Sequence, residues 1–212
     1  GMQSKALLPR HRQVLAAGVW LVACYVACAF SYLLHKLGVH KQIANRITEP
    51  WAHMTVVATG TEWQNMFALR CHPDAQPEFQ ELAFKMLLAY RLNHPKVLQP
   101  GEWHMPFTDN IQFDPTIEYK LKVSAARCAR TSYLTFDGKI SVSDDFRLHD
   151  DLLAAGHMSP FDHQGQALSR EEKAEDISKG CAKQAHLRGF MPYRKLFKNE
   201  NRTLTAEDMD NL

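Results

Sequence analysis

The sequence predicts an α+β protein in which helices dominate. Apolar residues recur at helical spacing over several stretches, with capping residues where they begin and glycines where they end. One short run, Met54 to Thr59, is instead rich in β-branched residues. Hydrophobic residues at 45% and charged residues at 23% lie near the globular average, which excludes wholesale disorder. A chain of 212 residues is expected to form one domain over residues 2–212, with Gly1 set aside as an expression remnant.

The elements follow in order. Val14 to Leu34 is 21 residues without a charge or histidine, flanked by Arg10-His11-Arg12 and His35-Lys36. A helix at about 1.5 Å per residue makes this long enough for a ~30 Å bilayer core. Five alanines with Gly18 and Ser31 equally suit a helix packed on several sides, and periodicity does not separate the two. The run exceeds the ~7–15 residue core of a signal peptide. Gly38 is placed to end the helix in the left-handed conformation.

Residues 39–47 predict a short helix stopped at Pro50, and Met54–Thr59 a strand. Thr61 with Gln64 has capping-box spacing for a helix through Leu69. Asp74 is placed to cap the next helix, with Pro77 in its first turn and Phe79, Leu82, Ala83, Met86 and Tyr90 on one stripe. Asn93 to Thr116, with four prolines, predicts a long irregular loop. Asp114-Pro115 then predicts the start of a helix to about Arg130, and Phe136-Asp137-Gly138 a turn. Ser141 or Ser143 caps a helix ending at Gly156, residues 169–180 form a solvated helix or loop, and the final dozen residues fray.

The net charge of +2 creates no overall field that recruits nucleic acid or an anionic membrane, so any anion site is local. Five cysteines without a C-x-x-C pair point to a reduced intracellular compartment. The pairs Cys71/His72, Cys24/Cys28 and His157/His163 lack the second pair that zinc requires, so no metal is expected. Phosphate-loop, dinucleotide and nucleophile-elbow motifs are absent. Two clusters carry denser chemistry. Around Leu69-Arg70, an arginine meets a capped helix and is either an oxyanion receptor or the partner of Asp74 or Glu78. His157-Met158-Ser159-Pro160-Phe161-Asp162-His163 gathers imidazoles, a hydroxyl and a carboxylate in one turn, as a ligand loop or as a capped surface turn.

Together these clusters resemble the flavin-dependent thymidylate synthases, the ThyX family. His157 to His163 is similar to that family's H-x-[ST]-P-F-E-H turn, and Ala129-Arg130-Thr131-Ser132-Tyr133 to its A-R-x-S-[FY] stretch. Gly38-Val39, Asn45-Arg46, Pro50, Thr61, Asn65, Leu69-Arg70 and Ala75-Gln76-x-Glu78 resemble its other half. The order resembles a circularly permuted, phage-type branch, with halves at about 14–92 and 115–197 joined by the Pro-rich loop 93–114. The family signature is Arg-His-Arg, then Ser after seven residues and a further Arg. Here Arg10-His11-Arg12 is followed by Trp20 and Val22 at those places, so the chain resembles a fragment, or a member that lacks the signature strand.

The resemblance implies helices packed around a small, mainly antiparallel sheet. It implies reductive methylation of dUMP to dTMP with FAD as cofactor and NADPH and methylenetetrahydrofolate as co-substrates. Arg70 would be the catalytic residue, stabilising the N3-ionised uracil, and would bind dUMP together with Arg46. Asn65, Ser159 and Asp162 would contact FAD, Asp162 replacing the usual Glu with a shorter reach. Asp74 stands where the family often carries histidine, which weakens a stacking role there. A cytoplasmic homotetramer of a bacterial or phage-infected host, with no nucleic acid or membrane partner, is also implied, with the 14–34 helix buried inside. The alternatives are a non-catalytic nucleotide- or flavin-binding remnant, and a small membrane-anchored protein using residues 14–34. The basic motif 188–195 is left unassigned, its cations suiting either a phosphate or a strand edge protected by charge.

Overall fold

The computed structural model describes residues 8–111, 116–131 and 141–201. The Asp114-Pro115 helix start, Ser132-Tyr133, the 136–138 turn, Gly1 and the C-terminal dozen (but for Asn201) lie outside the described residues. Among the described residues the class is α+β. The helices are α1 (Arg10–Lys36), α2 (Lys41–Ala44), α3 (Trp63–Arg70), α4 (Pro77–Leu92), α5 (Ile117–Ala129), α6 (Val142–Ala154) and α7 (Arg170–Ser178). Strands β1 (Trp103–His104), β2 (Gly165–Ala167) and β3 (Phe190–Pro192) form an antiparallel sheet in the order β1-β2-β3.

The chain divides into two compact units that interleave along the sequence, residues 8–55 with 69–87, and residues 56–68 with 88–201. The division does not follow the halves 14–92 and 115–197, and the described part of the 93–114 loop lies within the second unit.

In the first unit, α1 ends as its sequence dictates. Gly38 has φ +89°, its N–H donates to the His35 carbonyl at 3.1 Å, and the Val39 N–H reaches Leu34 at 3.0 Å. This is the paired bonding of a Schellman cap, which favours glycine. The small side chains Cys24, Ala27 and Ser31 line the face against residues 41–51, where Ser31 Oγ donates to Asn45 Oδ1 at 3.0 Å. Trp20 and Trp51 meet with ring centroids 5.2 Å apart. Within the single chain this helix is not packed on several sides: Ser31 is its one buried residue, and Tyr25 is 75% exposed. The short helix after Gly38 splits into α2 and a 3-10 turn, Asn45–Trp51, that runs through Pro50.

Two caps also differ from expectation. Helix α3 begins at Trp63, and Thr61 Oγ1 instead accepts the Arg188 N–H at 3.1 Å. Helix α4 begins at Pro77 rather than behind Asp74, and its predicted stripe buries Ala83 while Phe79, Leu82 and Tyr90 stay exposed. Residues 54–59 form no strand. They have no regular secondary structure and no ladder partner, and Met54 is 76% exposed, because β propensity yields a strand only where another edge supplies hydrogen bonds.

In the second unit, α5 carries the core face Leu121, Val123, Ala125 and Ala126 against α6. Thr116 caps α5 by accepting the Tyr119 N–H. Ser141 caps α6, which ends in a second Schellman pair at Gly156, φ +73°. Asp145 of α6 is fully buried and is held by Arg130 Nη1 and by Arg127 Nε at 3.3 Å. Arg130 also donates to the Asp144 carbonyl at 2.7 Å. Around them, Phe161, Tyr193, Phe197 and His149 form an aromatic cluster with Trp103 at its edge. Burial pushes the Tyr193 hydroxyl up to about 12, so it stays protonated and donates to His149 Nε2 at 3.3 Å. His149 Nδ1–H then donates to Asp150 at 2.8 Å, which assigns the tautomer. The 169–180 stretch is the helix α7, opened by a Ser169–Glu172 capping box.

Candidate functional site

The turn at 157–163 follows directly from the Gly156 reversal. Ser159–Asp162 is a 3-10 turn with Pro160 at its start, and Phe161 is fully buried in the aromatic cluster. Anchoring Phe161 inward leaves Ser159 exposed and Asp162 half-buried. The Asp162 carboxylate pairs with Arg194 Nη1 at 3.1 Å. Arg194 is fixed in turn by the Glu200 carbonyl, which accepts from Nε at 3.0 Å and Nη2 at 2.6 Å. Lys195 meets the Glu200 carboxylate at 2.9 Å. Asp162, His186, Arg194, Lys195 and Glu200 line a cavity of about 220 Å³.

On the other side of the turn, His163 Nδ1 lies 3.0 Å from Thr59 Oγ1. Burial holds the imidazole below its ordinary pKa; Asp162 opposes this, while His186 and His104 add to it. His104 is likewise lowered by burial. A second cavity, of about 190 Å³, is lined by Thr59, Thr61, His104, Gly165 and Phe190. A Cβ on Gly165 would stand 3.2 Å from the Phe190 Cβ, so glycine keeps β2 and β3 this close.

The remaining expected residues are distributed as follows. Asn65 is exposed on α3 in the second unit, the same unit as Ser159 and Asp162. Arg46 and Arg70 belong to the first unit. Arg46 is exposed and lines a groove of about 790 Å³ with Tyr32, His35, Lys41 and Glu49. Arg70 ends α3 exposed, its guanidinium 5.3 Å from the Phe79 ring centroid. Among the described residues no carboxylate forms an ion pair with it; Asp74 lies 3.7 Å from His72. The corner is tied instead by Gln80 Nε2, which donates to the His72 carbonyl at 2.8 Å. Arg70 is thus a free cation over an aromatic face, worth roughly 0.5–1 kcal/mol at an exposed site.

Arg194 and Lys195 belong to the basic motif that the sequence leaves unassigned. The density of basic side chains in 188–195 was their signal, and the acidic partners at 162 and 200 turn that motif from a strand edge into a site wall. Conversely, Arg130 of the A-R-x-S stretch is a buried structural arginine. Among the described residues no three metal-ligating side chains come together.

The cavity at Asp162 is smaller than the ~300–1,000 Å³ that encloses a whole small molecule. Its two cations and imidazole suit a diphosphate, in exchange with the carboxylates now paired to the cations. No protein-family model, curated protein or solved structure matches the chain.

Proposed function

We propose that the chain is a flavin-dependent thymidylate synthase-like protein that acts on dUMP. The observation that carries this reading is the 157–163 turn. Its buried Phe161 aims Ser159 and Asp162 outward, and Asp162 borders a cavity walled by Arg194, Lys195 and His186. An anchored ring, an exposed hydroxyl and a carboxylate beside cations able to meet a diphosphate suit a flavin-contacting turn. The resemblance of the turn and of the 38–78 segment to ThyX supplies the chemistry. FAD, when bound, relays hydride from NADPH, and the protein positions and polarises. Arg70, exposed and without a carboxylate partner among the described residues, would stabilise an ionised uracil.

The test is tritium release from C5-labelled dUMP with methylenetetrahydrofolate, NADPH and added FAD. Release above background that Arg70→Ala abolishes supports the reading; no release from a flavin-loaded chain contradicts turnover. A second reading, a remnant that binds without turnover, is favoured by the Asp162–Arg194 ion pair, which already occupies both groups. It forecasts FAD or dUMP binding with no tritium release.

A further inference from the structure

Apart from Asp162, the groups that hold Arg194 and Lys195 come from one short segment, Asn199-Glu200-Asn201. The Glu200 carbonyl accepts from Arg194 Nε and Nη2, and Asn201 Oδ1 lies 3.5 Å from the same Nη2. The Glu200 carboxylate faces Lys195. Both Glu200 and Asn201 line the cavity with Asp162 and His186. A carbonyl and a carboxylate set on neighbouring cations offer them the oxygens that a phosphorylated ligand would offer. The segment thus occupies the wall as a ligand drawn from the chain itself.

Its attachment is polar throughout. Phe197 is the last apolar anchor, its ring centroid 4.8 Å from that of Tyr193 and 5.3 Å from that of Phe161. Beyond it, Lys198 and Asn199 are exposed and Glu200 is half-buried. Asn199 Nδ2 donates to the Leu153 carbonyl near the end of α6 at 2.9 Å, and the Glu200 N–H to the Phe197 carbonyl at 3.2 Å. Glu200 Oε2 lies 2.9 Å from Lys195 Nζ, yet it is buried and accepts no hydrogen bond among the described residues. An oxygen so placed matches its cation poorly. A segment without buried apolar contacts opens at low cost, and a multiply charged anion outcompetes a single carboxylate.

We propose that residues 199–201 form an autoinhibitory strap, hinged at Phe197, which a diphosphate displaces from Arg194 and Lys195 as it binds. This rests on the reading that the wall receives a diphosphate, and it adds the regulation of that site. The full chain is titrated by calorimetry with inorganic pyrophosphate and, separately, with FAD. Tryptic cleavage after Lys198 is followed by mass spectrometry in the same samples. Glu200→Gln removes the charge beside Lys195 and tightens binding about fivefold. Asn199→Ala cuts the tie to Leu153 without a change of charge and tightens binding roughly threefold. Cleavage after Lys198 accelerates when pyrophosphate is added. Binding that Arg194→Ala abolishes, but that neither strap variant tightens, overturns the strap and leaves the diphosphate site standing. Tightening by Glu200→Gln alone, with cleavage unchanged, reduces the effect to charge and overturns it too. Acceleration by FAD but not by pyrophosphate contradicts the diphosphate as the displacing group. Absence of binding in the parent and in both strap variants removes the site itself, and the strap with it.

Discussion

Asp145 joins α5 to α6 with one carboxylate and two guanidiniums, Asp145 and Arg130 buried and Arg127 half-buried. A buried pair is weak evidence for net stability, but removing one partner leaves the others charged and unpaired. Asp145→Ala is therefore expected to cost about 3–5 kcal/mol, measured by urea unfolding. Near it, His149 is held below its ordinary pKa chiefly by burial, against the pull of Asp150. His104 and His163 are lowered by burial too. The unfolded chain takes up these protons near pH 6.5, and the folded chain does so only at lower pH. Stability from these groups is thus complete above about pH 6.5 and is lost as the pH falls below it. The urea midpoint should decline from pH 7.5 to pH 5, and His149→Gln should flatten that slope. A midpoint that rises on acidification would contradict the burial of these rings.

Caps dominate at the scale of elements. Ser141 Oγ accepts the Asp144 N–H at 3.2 Å, and Ser169 Oγ the Glu172 N–H at 3.1 Å. Replacing either by alanine is expected to lower stability by about 1 kcal/mol, read as a fall in Tm. Gly156→Ala forces a Cβ onto a left-handed residue at an estimated 1–2 kcal/mol, although nothing lies within 4 Å of that Cβ. These features were legible in the sequence because a cap needs only a few consecutive residues. Ser141, Gly38 and Gly156 do what their spacing predicts, and the 169–180 stretch, expected as helix or loop, is a helix that Ser169 caps. Features that depend on distant partners were not legible. Thr61 is claimed by Arg188, 127 residues away, instead of capping α3. Residues 54–59 have strand composition, but no ladder pairs them among the described residues.

At the scale of the molecule, α+β organisation was readable from the dominance of helical periodicity, whereas the division into interleaved units was not. A unit is defined by which segments pack, and residues 69–87 belong with 8–55 across the intervening 56–68. The candidate site was half legible for the same reason. The 157–163 turn is a local motif, and its wall comes from Arg194 and Lys195, brought in by β3 and the 3-10 turn after it. The proposed function requires that wall to receive the diphosphate of FAD. Titrating FAD with the chain while following flavin fluorescence tests it most directly. The account predicts a saturable change that Arg194→Ala removes while far-ultraviolet circular dichroism is retained. A titration without saturation, or one that Arg194→Ala leaves unaltered, would contradict it.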